Sequence, residues 1–252
     1  MRFASLGSGS KGNGTLVQGN QGCLLIDCGF TLKEVESRLE RLSVHPSELS
    51  AIVVTHEHGD HFNGVGPLAR RYKLPVYMTT GTHKARNSGV LPHLELISSH
   101  SGFYVEDMFV QPVPVPHDAR EPVQYIIQHQ RKKLGILTDL GSLTQHIVEH
   151  YRDCDALILE SNHCEDMLEN GPYPPSLKNR VAGNWGHLNN RQAADLLKQV
   201  DLDILQHLVI AHLSEQNNCV DRVHTLMPES VKQDGRLTYA CQQNGFGWMH
   251  IR

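Results

Sequence analysis

Long hydrophobic runs are missing from this chain: none approaches the ~20 residues that a membrane-spanning helix needs. Cys-x-x-Cys pairs are missing too, although there are 6 cysteines (Cys23, Cys28, Cys154, Cys164, Cys219 and Cys241). The opening Met1-Arg2-Phe3-Ala4-Ser5-Leu6-Gly7 is too short and too glycine-rich for a signal peptide. With no export signal, the cysteines read as reduced thiols and the compartment as cytoplasmic. Nor is positive charge in excess. The formal net charge is −4, so no global basic field surrounds the molecule. Repeats, low-complexity tracts and linkers are also absent. A chain of 252 residues with 39% hydrophobic content is expected to form one domain, 1–252, with a substantial core.

Histidine, by contrast, is plentiful, with 17 in the chain. Four potential metal ligands crowd into His56-Glu57-His58-Gly59-Asp60-His61, directly after the apolar residues 51–54. Neutral imidazoles with a carboxylate suit a borderline divalent ion such as Zn²⁺, Mn²⁺ or Fe²⁺. Side chains alternate along a strand and its exit, so His56 and His58 are expected to point the same way. Asp60 and His61, on the turn that follows, can then serve a second ion. Two ions ~3.5–4 Å apart form the usual bimetallic hydrolase arrangement.

Short apolar runs bounded by turn residues read as buried strands at 22–27, 51–54, 76–78, 123–128, 134–137, 156–159 and 208–211. Thr31-Leu32-Lys33-Glu34 is a capping box that opens a helix with Leu32, Val35, Leu39 and Leu42 on one face. Asn189 or Asn190 can cap another helix through Ala193, Ala194, Leu196 and Leu197. Asp139 ends an apolar strand, where a lone carboxylate is costly to desolvate unless it is paired or metal-bound. His117 closes Pro112-Val113-Pro114-Val115-Pro116, a proline-stiffened segment that fixes where its imidazole points.

In chain order, Asp27, His56-x-His58-x-Asp60-His61, His117, Asp139 and His212 resemble the five motifs of the metallo-β-lactamase superfamily. Leu137-Thr138-Asp139-Leu140-Gly141, Leu159-Glu160-Ser161-Asn162-His163, Gly186-His187-Leu188-Asn189-Asn190 and Ala211-His212-Leu213-Ser214 look like its WalJ/YycJ-type branch. So does the opening Gly7-Ser8-Gly9-Ser10-Lys11-Gly12-Asn13. The resemblance implies an α/β (α+β) fold, an αββα sandwich of two facing sheets with helices outside. It implies one ion on His56, His58 and His117, another on Asp60, His61 and His212, and Asp139 shared between them. Asp27 would support the metal loop as a hydrogen-bond acceptor instead of binding an ion. Catalysis would depend on Asp60, Asp139 and His187. The branch contains cytosolic metal-dependent phosphodiesterases and DNA exonucleases, so DNA is the expected substrate, degraded from a 5′ end. With a net charge of −4, it would have to be drawn to a local site where two ions and nearby basic residues reverse the sign.

Four features leave alternatives open. Gly186-His187-Leu188-Asn189 is similar to the Gly-His-Ser-Thr-Ala element of tRNA 3′-processing nucleases. A histidine there can move a proton or meet a phosphate at a helix start, or merely complete a capping loop. His163 could touch the second ion or a phosphate, or be a satisfied structural histidine; the branch's usual Asp after it is Cys164 here. Residues 7–15 could gather backbone N–H groups on an anion, with Ser10 and Asn13 as added donors, or form a tight hairpin turn. Lys178 and Arg180 could steer a phosphate backbone or be solvated loop charges. Rival functions are a hydrolase of small or cyclic phosphodiesters, a glyoxalase II-like thiolester hydrolase, and a metal-stabilised regulatory domain without activity. The thiolester reading lacks its usual C-terminal helical domain, and the complete ligand set argues against an inactive domain. The oligomeric state stays open, a homodimer included.

Overall fold

The computed structural model describes residues 1–252. The first half supplies β1 (Arg2–Gly7), β2 (Gly14–Gln18), β3 (Cys23–Ile26), β4 (Ala51–Val53), β5 (Pro75–Thr79) and β6 (His93–Ile97). The second supplies β7 (Phe103–Val105), β8 (Met108–Pro114), β9 (Val123–His129), β10 (Lys132–Leu137), β11 (Ala156–Glu160), β12 (His207–Ala211) and β13 (Leu237–Tyr239). Strand β14 (Phe246–His250) returns to the first half. The result is two 7-stranded sheets, ordered β14-β1-β2-β3-β4-β5-β6 and β13-β12-β11-β10-β9-β8-β7. Helices between the strands are α1 (Leu32–Arg41), α2 (Gly59–Phe62), α3 (Val65–Tyr72), α4 (Thr80–Ala85) and α5 (Gln145–Tyr151). They continue with α6 (Glu165–Asn170), α7 (Pro175–Ala182), α8 (Asn190–Leu197), α9 (Val220–Leu226) and α10 (Glu229–Gln233).

Three apolar clusters define four layers. Between the sheets pack Leu24 and Val53 from one side and Tyr125, Ile136 and Val209 from the other. Strand alternation turns Leu25 and Ile52 to the opposite face, where Val35 and Leu39 of α1 and Leu68 of α3 cover them. Leu157 and Ile210 of the second sheet are covered in the same way by Tyr151 of α5, Leu196 of α8 and Val223 of α9. The seven strands expected from apolar runs all form within about two residues of their expected ends. Helix α1 has its capping box, with Glu34 N donating to Thr31 Oγ1 and Thr31 N to Glu34 Oε2. At α8 Asn189 is the cap, paired with Gln192, while the buried Asn190 bonds Ser161 and Asn218.

Strands β3 and β4 are parallel, as are β10, β11 and β12. Ligand sites in such sheets form where parallel strands end at their carboxyl side. Here Asp27, residues 54–61, Asp139, Glu160 and His212 occupy those ends. Asp27, Asp139 and His212 all take left-handed backbone angles, with φ of 61°, 53° and 53°. Such angles in non-glycine residues cost roughly 1–3 kcal/mol each and tend to mark functional sites.

Tight backbone contacts set the position of α2 beneath the glycine-rich loop. Asn13 N donates to Asp60 O at 2.7 Å, Cys28 N to His61 O at 2.8 Å and Gly29 N to Asn13 O at 3.0 Å. A Cβ on Gly29 would sit 1.7 Å from Asp60 O, so only glycine fits. Gly29→Ala is therefore expected to displace α2, destabilise the fold by about 1–3 kcal/mol as overpacking does, and reduce metal content. Thermal melting beside metal analysis would test this, and an unchanged melting temperature with full metal content would contradict it.

Candidate metal centre

His56 and His58 leave β4 and His117 arrives from the end of β8, and their donor atoms lie within 4.8 Å of one another. His117 Nε2 is 3.2 Å from His58 Nδ1. Asp60 and His61, on α2, join Asp139 and His212 in a second set of the same compactness. His61 Nε2 lies 3.2 Å from Asp139 Oδ2, and His212 Nε2 3.6 Å from Asp139 Oδ1. At this spacing Asp139 groups with Asp60, His61 and His212, not with the three histidines. The sets adjoin, with the rings of His56 and His61 4.3 Å apart.

Hydrogen bonds on the outer nitrogens orient the imidazoles. His61 Nδ1 donates to Asp27 Oδ2 at 2.8 Å, and His117 Nδ1 to the carbonyl of Gly186 at 3.0 Å. His212 Nδ1 donates to Glu160 Oε1 at 3.0 Å. The Thr55 hydroxyl gives its one proton to Asp27 Oδ2, so it must accept from His56 Nδ1 at 2.9 Å. With Nδ1 so engaged, all four rings turn Nε2 inward, the atom through which such a ring coordinates a metal. His56 Nε2, His212 Nε2 and Asp139 Oδ2 are buried without any hydrogen-bond partner. Buried polar atoms without a partner are costly, and a divalent cation is the partner that such a nitrogen and oxygen set fits. Asp27 reaches the site only through His61 and Thr55. Asp27→Asn is expected to weaken metal affinity ~10–100-fold, the usual result of losing such a support. Chelator competition would measure it, and an unaltered affinity would remove Asp27 from the support of the site.

Charge differs between the two sets. Burial opposes a positive His212, but Asp139, Asp60 and Glu160 pull its pKa up to about 10. His61 is raised as well, because Asp139, Asp60 and Asp27 outweigh its burial. Burial would protonate Asp139, yet His212 and His61 hold it well below the usual carboxylate range. In the other set burial dominates: His117 falls to about 4, and His56 drops well below its ordinary value, with His61 adding repulsion. One set therefore calls for positive charge, and the other presents neutral imidazoles ready to coordinate.

Glu160 organises the whole arrangement, a role that the strand reading of 156–159 does not assign. It is fully buried at the end of β11. Its Oε1 accepts from Asp139 N, His187 Nδ1 and His212 Nδ1 at 3.1, 2.9 and 3.0 Å. Its Oε2 accepts from Leu188 N at 2.9 Å. Despite burial, His187 and His212 pull it down to about 2, so it stays ionised. The available signal was an acid ending an apolar run, the same one that marks Asp139. With Nδ1 held by Glu160, His187 sits beside both sets, its ring 5.3 Å from His117 and 5.2 Å from His212.

A cleft of about 320 Å³ opens over these residues, lined by His58, Asp60, Asp139, His187 and His212. Ser10 and Arg180 also line it, and Arg180 Nε donates to Asp118 Oδ2. Asn13, Lys178 and His163 do not. The Asn13 side chain turns inward, where its Nδ2 donates to His61 Nε2 at 2.9 Å and its Oδ1 accepts from Gly9 N at 2.8 Å. Residues 175–182 form α7, not a loop, so Lys178 and Arg180 are about 200° apart around the helix and cannot share a face. Lys178 Nζ instead donates to Glu169 O, beside a separate hollow that it shares with His163. His163 is buried, its Nδ1 has no partner, and it belongs to neither donor set. Burial pushes its pKa down to about 4.

Residues 23–213 match the family model described as the beta-lactamase superfamily domain. The exodeoxyribonuclease YycJ of Bacillus anthracis is 34% identical over 93% of this chain and 90% of its own. The exodeoxyribonuclease WalJ of Streptococcus pneumoniae is 30% identical over 92% and 88%. Among solved structures, the metallo-β-lactamase fold protein YhfI of Bacillus subtilis superposes with a TM-score of 0.74 over 99% of both chains at 18% identity. No helix is long and apolar enough to cross a membrane. The chain belongs to the metallo-β-lactamase superfamily, and within it is similar to the YycJ and WalJ proteins.

Proposed function

We propose that residues 1–252 act as one unit, a dinuclear metal-dependent phosphodiesterase that degrades DNA exonucleolytically from a 5′ end. The observation that carries this reading is His187, anchored by Glu160 beside both donor sets and facing the cleft. The exodeoxyribonuclease names of the two relatives support the choice of substrate.

His56, His58 and His117 would hold one ion and Asp60, His61 and His212 the other, with Asp139 serving both. Zn²⁺, Mn²⁺ or Fe²⁺ bound there supplies Lewis acidity and a water activated near neutral pH. The remaining chemistry belongs to the chain. Glu160 fixes His187 through Nδ1, so Nε2 is the atom that can give a proton to a leaving oxygen. An alkoxide leaving group needs that proton, whereas a thiolate does not, which favours phosphodiesters over thiolesters. Arg180, paired with Asp118, which also lines the cleft, and Ser10 flank the place where a phosphate would lie. Thr55 and Asp27 keep the metal loop rigid from beneath.

Turnover of 5′-phosphorylated DNA, bis-p-nitrophenyl phosphate and S-lactoylglutathione separates the readings. End-labelled DNA should be shortened from its 5′ end, and the thiolester should be a poor substrate. Ser10→Ala should reduce turnover of 5′-phosphorylated DNA more than of 5′-hydroxyl DNA. Asn13→Ala should instead harm both equally through His61. Rapid thiolester cleavage with inert DNA would overturn the nuclease reading.

A further inference from the structure

Helix α7 contains no buried residue, although α1 and the equally long α3 and α8 each bury an apolar face. Its apolar side chains have another destination. Leu177 and Val181, one turn apart on α7, and Tyr173 just ahead of it all line the cleft over the donor sets. The cleft is therefore amphipathic. Its floor is made of imidazoles and carboxylates suited to cations and, through them, to a phosphate. Beside it one wall carries an aromatic ring and two aliphatic side chains, each half-buried and outside the apolar clusters of the core.

We propose that this wall is a nucleobase subsite: Tyr173 stacks on the base of the terminal nucleotide, and Leu177 and Val181 pack against the rest of it. The proposal rests on the nucleic-acid reading above and adds what that reading leaves open, namely how the cleft holds the nucleotide to be released. The occupant follows from charge complementarity. It must be anionic at one end and flat and apolar at the other, within about 320 Å³. A nucleoside monophosphate unit meets both demands. A bare phosphate or an alkyl phosphodiester would satisfy the floor and leave the wall wet. Stacking on an aromatic ring tolerates any base, because every base presents a π face. The subsite therefore predicts grip on a terminal nucleotide without sequence preference.

Calorimetric titration of the metal-loaded protein with dAMP and with 2-deoxyribose 5-phosphate tests this without relying on turnover. The wild type should bind dAMP about 10-fold or more tightly than the base-free compound, in the range that a single stacked base contributes. Tyr173→Ala should bring the two affinities together, while Tyr173→Phe should keep the preference. Tyr173 lies outside the core, so all three proteins should melt alike. Equal affinities in the wild type, or a preference that survives Tyr173→Ala, would overturn the subsite. A base preference in a protein that leaves DNA intact would retain the subsite and reject the exonuclease reading alone.

Discussion

Asp139→Ala is expected to bring hydrolysis of every substrate below detection and to reduce bound metal from two ions per chain to one or none. The carboxylate is almost fully buried, and its two oxygens lie 3.2 and 3.6 Å from His61 and His212. It is also a principal source of the negative field that raises both histidines. Without it the second set loses an anionic donor, and the shared position that would keep two ions at working separation disappears. Alanine at φ 53° is strained where aspartate and asparagine are tolerated, so Asp139→Asn makes a useful companion. The amide keeps the shape and the backbone while removing the charge. Both variants should fail in turnover, and metal analysis after reconstitution with Zn²⁺ or Mn²⁺ should separate them from Asp27→Asn. Full metal loading of Asp139→Ala would refute its place in the ligand set, and equal losses in the two positions would refute the division between ligand and support.

His187→Ala should retain both ions yet lose ~10²–10⁴-fold in turnover of DNA, the range expected when a proton donor is removed. Its ring contacts Glu160 and lines the cleft, and it stands outside both the three-histidine set and the set of Asp60, His61, Asp139 and His212. A p-nitrophenyl ester needs no proton on its leaving group, so its hydrolysis should fall much less. Equal losses on both substrates would assign His187 to phosphate positioning. Loss of metal would place it among the ligands instead, as its proximity to Asp139 and His212 allows.

The parts of this molecule that were legible in the sequence are those with local signatures. Apolar runs marked β3, β4 and β10 to β12 because buried parallel strands read as continuous hydrophobic stretches. The Thr31 and Glu34 box marked α1 because capping involves residues only three apart. Strands β1 and β14 were not marked. Their glycines, serine and arginine break the apolar pattern, and β14 joins the first sheet only by pairing with β1 across the whole chain. Helix α7 was hidden behind Pro174 and Pro175, which punctuate loops but also suit the first turn of a helix. That one difference separates Arg180, which reaches the cleft, from Lys178, which does not. Glu160 illustrates another limit. Its acid at a strand end was visible, but its meaning depends on three distant segments converging on one carboxylate.

Each donor set draws on both sheets. His56, His58, Asp60 and His61 follow a strand of the first sheet, whereas His117, Asp139 and His212 follow strands of the second. Neither half of the chain holds a complete set, so assembly of the sandwich and assembly of the chemistry are one event. Bound ions would act as rivets across the open end, and their binding free energy would add to the cohesion of the halves. Depleting them should loosen the mouth first, with faster amide exchange at residues 54–61 and 137–141 than in the strands behind them. An enzyme built this way carries its own proofreading of folding: a misdocked pair of sheets cannot cut anything.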